Sequence, residues 1–103
     1  MDIVFRRIET PRLGIGVRER AGKKGEPVLF IHGNASSSLF WAETLKALPE
    51  DFKGIACDLR GYGDTDPLPV SAPLGLGDMV EDVLGLIETE GLAPVHIAGH
   101  SMG

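Results

Sequence analysis

Short apolar runs recur along this chain and predict the strands of a sheet. Val28–Ile31 is a continuous apolar run, which is typical of parallel strands buried on both faces, and Gly54–Cys57 and Val95–Ala98 predict two further short strands. Two earlier segments, Ile3–Thr10 and Leu13–Arg20, alternate imperfectly between apolar and polar positions. They predict a pair of short strands at the start of the chain.

The first helical pattern follows three consecutive serines at positions 36–38. Trp41, Leu45 and Leu48 recur at the spacing i, i+4 and i+7, which puts their side chains on one face of a helix. A serine hydroxyl is expected to cap the first turn, and Pro49 is expected to end the helix.

A second amphipathic helix is predicted after an irregular connection, rich in Pro and Gly, over residues 68–77. Asp78 and Glu81 are interpreted as a capping box at its start, and Gly91 as its left-handed C-cap. Its apolar face comprises Met79, Val80, Val83, Leu84, Leu86 and Ile87. The alternation of strands and helices predicts an α/β fold with a parallel sheet and helices on its faces.

The composition is that of a globular protein and narrows the function only a little. The chain has 103 residues, of which 43% are hydrophobic and 24% charged, and these values fit one domain or part of one. The net charge of -5 argues against a nucleic-acid partner. No apolar run is long enough for a signal peptide or a membrane span, so no membrane partner is expected and the cytoplasm is the expected compartment.

Most of the ten Lys and Arg residues lie before Val28. A basic binding arm is one interpretation of this stretch. Because the charges interleave with apolar residues, the favoured interpretation is the solvated faces of two edge strands.

The single cysteine, Cys57, excludes an internal disulfide and gives no metal-ligand spacing. We interpret Cys57 as a small buried hydrophobe rather than a nucleophile. Neither a metal nor a cofactor is expected.

The most specific motif is Gly-His-Ser-Met-Gly at 99–103, directly after a predicted strand. Glycines two positions either side of Ser101 allow a sharp strand-to-helix turn without clashes of Cβ atoms. Such a turn holds the serine hydroxyl at the end of the sheet in a strained conformation. The motif is typical of a nucleophile elbow, and Ser101 is the candidate nucleophile.

A second motif, His-Gly-Asn-Ala at 32–35, ends an earlier apolar strand. Acyl transfer passes through a tetrahedral intermediate, and its developing oxyanion needs hydrogen-bond donors that backbone N–H groups can supply. His32 could be considered as a catalytic base. The favoured interpretation is that His32 braces the loop by hydrogen bonding.

Three motifs together resemble the α/β-hydrolase family, in the branch of esterases, lactonases, perhydrolases, and epoxide or haloalkane hydrolases. They are His-Gly-Asn-Ala-Ser-Ser at 32–37, Asp-Leu-Arg-Gly-Tyr-Gly-Asp-Thr-Asp at 58–66, and the elbow at 99–103. Their order and spacing match the family, so the resemblance covers the whole chain. It implies a mostly parallel sheet with helices on both faces, and it is far less specific for the substrate.

The resemblance also implies how the site is built. Ser101 would be the catalytic nucleophile, and the backbone N–H groups of Asn34 and Met102 would form the oxyanion hole. Trp41 would line the substrate pocket or the core beside it. The remaining motif residues would support the two loops, and they are His32, Gly33, Gly99, His100 and Gly103.

Two rival assignments are set aside on the same resemblance. Asp58 is not expected to be the triad acid, because in this family the acid follows the serine in sequence. Asn34 also resembles the halide-holding asparagine of haloalkane dehalogenases. Those enzymes and epoxide hydrolases have aspartate at the elbow, whereas Ser101 fits acyl chemistry through an acyl-enzyme.

The favoured function is a serine hydrolase of carboxylic esters or related small acyl substrates. A perhydrolase (cofactor-free haloperoxidase), a lactonase and a non-catalytic small-molecule-binding module are the alternatives. The family takes its triad acid and histidine from positions after the serine. Residues 1–103 are therefore expected to be the N-terminal part of one domain, with a second polypeptide or a C-terminal segment completing it, and to be inactive and unstable alone.

Overall fold

The computed structural model describes residues 3–21, 24–70 and 76–103. Within these ranges the strands are β1 (Ile3–Glu9), β2 (Gly14–Arg20), β3 (Glu26–Ile31), β4 (Phe52–Cys57) and β5 (His96–Gly99). The helices are a short 3-10 helix (Ser38–Trp41), α1 (Ala42–Ala47) and α2 (Gly77–Thr89). The predicted order of strands and helices is confirmed. Positions 71–75 of the predicted irregular connection lie outside the described residues.

The five strands form one mixed sheet in the order β1-β2-β4-β3-β5. Strand β3 runs parallel to both β4 and β5, with Leu29 paired to Ile55 on one side and to Ile97 on the other. Strand β2 is antiparallel to β1 and to β4. Because parallel strands end at the same edge of a sheet, the loops that follow β3, β4 and β5 meet at one carboxyl edge.

Side chains of β3 alternate between two cores, one on each face of the sheet. Leu29 packs in the core beneath α2 together with Leu86, and Phe30 packs in the core beneath α1 together with Leu45. Both Leu45 and Leu86 are fully buried, and burial of such a side chain contributes about 1.5–3 kcal/mol. Helices therefore cover both faces of the sheet, as the α/β-hydrolase resemblance implies.

The interpretation of the basic N-terminal stretch as two edge strands is wrong for β2. Strand β1 lies at the edge of the sheet and is mostly exposed, but β2 lies between β1 and β4 and is mostly buried. Its Arg20 is buried and donates hydrogen bonds to the carbonyl oxygens of Lys46 and Pro49, at 3.0 and 3.2 Å. A basic residue can occupy this inner strand because its guanidinium reaches backbone carbonyls at the C-terminal end of α1.

The predicted serine cap exists, but it caps the 3-10 helix before α1, whereas α1 itself has Trp41 at its N-cap and no side-chain cap. The predicted capping box of α2 is wrong. Ser37 caps the 3-10 helix that leads into α1 by accepting a hydrogen bond from Leu39 N at 3.2 Å. Helix α2 has Leu76 at its N-cap and no side-chain cap. Asp78 lies in the first turn and forms an ion pair with Arg12 at 3.3 Å, a long-range contact that sequence spacing does not reveal.

The C-terminus of α2 is as predicted. Gly91 has a φ of 61°, which glycine adopts without steric cost. The N–H of Leu92 then donates to the carbonyl of Ile87 at 3.0 Å and closes the last turn.

A buried ion pair connects the loop after β4 to α2. Arg60 donates to both carboxylate oxygens of Asp82 at 2.8 Å, and to the carbonyl of Pro69 at 2.8 Å. Arg12 donates to the same carboxylate at 2.8 Å. The hydrogen bonds to Asp82 raise the pKa of Arg60 above its usual value.

None of the helices in residues 3–21, 24–70 and 76–103 combines the length and the apolar character that a membrane span requires.

Candidate active site

Ser101 lies in a tight turn directly after β5. Its φ of 59° is in the left-handed region, which non-glycine residues rarely adopt and which costs roughly 1–2 kcal/mol. The turn is held by two backbone hydrogen bonds, from His100 N to Ile31 O at 3.1 Å and from Gly103 N to His100 O at 3.0 Å. Ser101 is exposed, so its hydroxyl group is accessible at the carboxyl edge of the sheet.

The two glycines of the elbow are required by close contacts of the backbone. A Cβ atom added to Gly99 would lie 2.4 Å from the carbonyl carbon of Gly103. A Cβ atom added to Gly103 would lie 2.2 Å from the carbonyl oxygen of Ile31. Neither distance is compatible with a side chain, so the chain crosses itself here only because both positions are glycine.

The loop after β3 lies against the elbow. A Cβ atom added to Gly33 would lie 2.9 Å from the Cβ of Ser101 and 2.9 Å from the carbonyl oxygen of His100. Asn34 and Ala35 follow as exposed turn residues, and Ala35 is left-handed with a φ of 57°. The structure thus brings Gly33 into contact with the elbow, and Asn34 follows it directly in the chain.

His32 uses both of its ring nitrogens inside the protein. Its side chain is fully buried, and Nε2 accepts a hydrogen bond from Leu59 N at 2.9 Å. The proton is therefore on Nδ1, which donates to the carbonyl oxygen of Gly33 at 2.7 Å. In this arrangement His32 braces the loops after β3 and β4 against each other and has no free nitrogen for proton transfer from Ser101.

Asp58 is likewise committed to holding loops. It is buried, and its two oxygens accept hydrogen bonds from Ser38 N at 2.7 Å and Asp64 N at 3.1 Å. A Cβ atom at Gly63 would lie 2.4 Å from the Asp58 carboxyl carbon, so the loop wraps tightly around this carboxylate. Asp58 fixes the start of the 3-10 helix and the 58–66 loop in one arrangement.

His100 and Trp41 both belong to the α1 side of the sheet. The His100 ring stacks on Phe40 with centroids 4.7 Å apart and an interplanar angle of 24°. Trp41 packs on Phe30 at 4.9 Å, in the core beneath α1. Trp41 is expected either to line the substrate pocket or to lie in the core beside it, and its packing is that of a core residue.

Met102 and Gly103 lie at an apolar cleft of about 210 Å³ between the end of the sheet and α2. Its other walls include Ile31, Val80 and Ile97. Val80, on the apolar face predicted for α2, is 55% exposed, and Ile97 of β5 is 57% exposed, so both side chains line this open cleft rather than the core.

Tyr62 is a residue of this site that the sequence analysis did not single out. Its hydroxyl group donates to Oδ1 of Asn34 at 2.5 Å, and its ring contacts His32 edge-on with centroids 5.1 Å apart. The sequence signal that could have indicated Tyr62 is a glycine on each side of it, at positions 61 and 63. In the structure these glycines have φ values of 81° and 50°. Two left-handed glycines around one aromatic residue indicate a turn built to present that side chain.

Cys57 and the acidic and histidine residues offer no second catalytic or metal centre among the residues that the structure describes. Cys57 is buried in the centre of the sheet, and burial raises the pKa of its thiol to about 12. Within the same ranges, no group of three or more His, Cys, Asp or Glu side chains could hold a metal ion.

The comparisons with known proteins agree with this geometry. The family model for the alpha/beta hydrolase fold matches residues 26–103. Epoxide hydrolase 2 of Siraitia grosvenorii is 34% identical over 91 residues, which are 87% of this chain and 29% of that protein. The 2-(acetamidomethylene)succinate hydrolase of Mesorhizobium japonicum is 32% identical over 100 residues, which are 97% of this chain and 34% of that protein.

Solved structures show the same fold. The crystal structure of an epoxide hydrolase from Vigna radiata superposes with a TM-score of 0.85 at 32% identity, covering 98% of this chain and 32% of that one. The chain thus spans about a third of the length of the relatives it matches. With the family model matching most of its length and the sheet, elbow and loops in place, the chain belongs to the alpha/beta hydrolase fold family, and the three relatives named above are hydrolases.

Proposed function

We propose that this chain carries the nucleophile and the oxyanion hole of a serine hydrolase that acts on a carboxylic ester or a related acyl substrate. The observation that carries the proposal is the left-handed, exposed Ser101 at the end of β5, with Gly33 packed against its Cβ. A strained serine is maintained at this place by contacts on both sides, and strain of this kind concentrates at functional sites.

In the proposed reaction, Ser101 Oγ attacks the substrate carbonyl carbon and transfers its proton to a base. The resulting oxyanion accepts hydrogen bonds from the backbone N–H groups of Met102 and Asn34. When the tetrahedral intermediate collapses, the base returns the proton to the leaving oxygen and the neutral alcohol departs. The acyl group remains on Ser101, and water then hydrolyses this acyl-enzyme. We place the base and its orienting acid in the part of the protein outside residues 1–103, because His32 and Asp58 are committed to holding loops.

The choice of acyl over epoxide chemistry rests on the residue at the elbow. Epoxide hydrolases are among the relatives, but the family resemblance implies an aspartate at the elbow of that class, whereas this chain has Ser101. An aspartate can form and release an alkyl ester, whereas a serine that opened an epoxide would form an ether that water does not cleave. The serine supports an acyl substrate, in keeping with relatives named as succinate-derivative hydrolases.

The test is covalent labelling of the complete protein that carries this chain with a fluorophosphonate probe, followed by mapping of the adduct. We expect one adduct per molecule on Ser101, turnover of a short 4-nitrophenyl ester, and no opening of styrene oxide. Ser101→Ala should abolish both labelling and turnover. Ser36→Ala, which removes a serine hydroxyl from the loop after β3, should retain them. Labelling at another residue, or epoxide opening without ester hydrolysis, would overturn the proposal.

A further inference from the structure

We propose that Tyr62 is a positioning residue of this site, whose hydroxyl group holds the Asn34 carboxamide and thereby fixes the loop that supplies an oxyanion donor. The inference rests on the acyl chemistry proposed for Ser101. Its direct observation is the hydrogen bond from Tyr62 Oη to Asn34 Oδ1 at 2.5 Å.

Tyr62 is itself held firmly enough to position another residue. Its N–H donates to Leu59 O at 2.9 Å, and its carbonyl accepts from Thr65 N at 3.1 Å. Gly63, the next residue, lies against the buried Asp58 carboxylate. The turn around Tyr62 is therefore anchored to the end of β4, and the tyrosine ring extends from a rigid base.

The loop after β3 needs such a restraint. Ala35 has a left-handed φ of 57°, and a strained non-glycine residue persists only where surrounding contacts impose its conformation. His32 anchors the buried beginning of the loop through Gly33 O. Asn34 is exposed, and its side-chain bond to Tyr62 anchors the loop at the site itself.

The position of Asn34 matters because its backbone N–H is the proposed donor. It lies between Gly33, which packs against Ser101, and the strained Ala35. Oxyanion donors act by being fixed before charge develops, so movement of this residue weakens stabilisation of the transition state more than binding of the substrate. Loss of one neutral hydrogen bond that fixes the donor should reduce kcat roughly 3- to 10-fold.

The experiment compares Tyr62→Phe, Asn34→Ala and the double variant in the complete protein. Tyr62→Phe keeps the ring on His32 and removes only the hydroxyl, while Asn34→Ala keeps the backbone N–H and removes the acceptor. We expect each single variant to lower kcat for a 4-nitrophenyl ester about 3- to 10-fold with KM unchanged within about twofold. The double variant should lose no more than either single variant, because both remove the same bond.

A control removes side-chain hydrogen bonds far from the site. Thr10 Oγ1 donates to Leu13 O at 2.8 Å and accepts from the N–H groups of Arg12 and Leu13 at 3.2 Å, in the turn between β1 and β2. Thr10→Val removes all three bonds and should leave kcat unchanged. Should Tyr62→Phe fail to fold, as judged by its thermal midpoint, Asn34→Ala tests the same bond from its exposed end.

Each outcome assigns the result to one of the two proposals. An unchanged kcat in Tyr62→Phe, an effect confined to KM, or additive losses in the double variant would overturn the role of Tyr62 while Ser101 labelling still supports the hydrolase. A wild-type protein whose Ser101 does not react with a fluorophosphonate would overturn the hydrolase and the role of Tyr62 with it.

Discussion

Two non-glycine residues in the described part of the chain have a left-handed backbone, and both lie at the carboxyl edge of the sheet. They are Ala35 in the loop after β3, with φ of 57°, and Ser101 in the elbow, with φ of 59°. Between them lies Gly33, whose missing side chain allows the two segments to touch. The site therefore consists of two strained turns whose close contact leaves no room for a side chain at Gly33.

Gly33→Ala tests this arrangement. The added Cβ would lie 2.9 Å from both Ser101 Cβ and His100 O, so the loop must move away from the nucleophile. We expect a loss of roughly 1–3 kcal/mol in the free energy of unfolding and a reduction of more than about tenfold in the labelling rate of Ser101. Chemical denaturation and timed fluorophosphonate labelling measure the two effects.

Gly85→Ala is the matched control. Gly85 lies within α2, where an added Cβ has only Arg12 Cδ within 4 Å, at 3.8 Å. This substitution should stabilise the protein by about 0.5–1 kcal/mol and leave labelling unchanged. Equal labelling rates in the two variants would contradict the contact between Gly33 and the elbow.

At the scale of elements, the sheet and helices follow from the sequence, and their connections do not. The spacing of apolar residues predicts all five strands and both helices, because each element buries one or both of its faces and so repeats apolar residues at a fixed spacing along the chain. The pattern misassigns the start of α2, where Asp78 pairs with the distant Arg12. It also misassigns the position of β2, whose Arg20 donates to the carbonyls of Lys46 and Pro49.

The candidate site shows the same division between what sequence indicates and what it leaves out. Ser101 and the glycines around it are found from a local motif, since the turn depends on residues next to each other. Tyr62 is missed because its bond to Asn34 joins two loops that follow different strands. Contacts of this kind depend on strand order, which the motifs alone do not give.

Replacing Asp82 tests how α2 is held in place, since this residue joins α2 to the loop after β4. Arg60 is 9% exposed and donates to both carboxylate oxygens of Asp82. Asp82→Asn removes the negative charge from this contact and leaves the buried guanidinium beside a neutral amide. Breaking a buried ion pair on one side costs about 3–5 kcal/mol, so we expect a loss of that order in the free energy of unfolding. Denaturant unfolding of the complete protein provides the measurement.

An exposed ion pair gives the comparison for this experiment. Glu43 and Lys46 are 3.5 Å apart on α1 with 89% and 53% of their side chains exposed. Glu43→Gln should change stability by less than about 0.5 kcal/mol. A similar small change in Asp82→Asn would mean that the Arg60 pair does not hold α2 in place.

The sheet has one core on each face, so the inner strands are kept from solvent by α1 on one side and by α2 on the other. Cys57 lies at the end of the central strand β4, within the core beneath α2, and its Sγ is 4.0 Å from the carbonyl oxygen of Phe30. Its thiol is shielded from solvent only while the sheet and α2 remain packed. The ionisation of Cys57 therefore reports on the folding of the molecule as a unit.

Burial raises the pKa of Cys57 from an ordinary value of 9.0 to about 12, with the charge of Asp58 acting in the same direction. The folded protein thus keeps the thiol neutral at pH values where the unfolded chain ionises. The stability that this contributes is fully present below pH 9 and is lost as the pH rises toward about 12. We expect the denaturant midpoint to fall more steeply across this window in the wild type than in Cys57→Ala.

Thiol reagents give the second measurement on the same residue. At pH 8 Cys57 of the native protein should react with a disulfide reagent only as fast as the protein unfolds, and denaturant should expose it, as peptide mapping of the adduct would show. Rapid labelling of the folded protein, or parallel pH profiles for the wild type and Cys57→Ala, would contradict the burial of this thiol.

The pairing of β3 with β5 has a consequence for how the site comes into being. Leu29 and Ile97 are neighbours in the sheet but far apart in the chain, so their pairing requires closure of a long loop and belongs to the slow, non-local steps of folding. Gly33 and Ser101 can meet only after that pairing. A newly made chain therefore cannot hold Ser101 in its strained turn beside Gly33 until β5 has paired with β3, so the geometry of the proposed nucleophile depends on the strand order as well as on the five-residue motif.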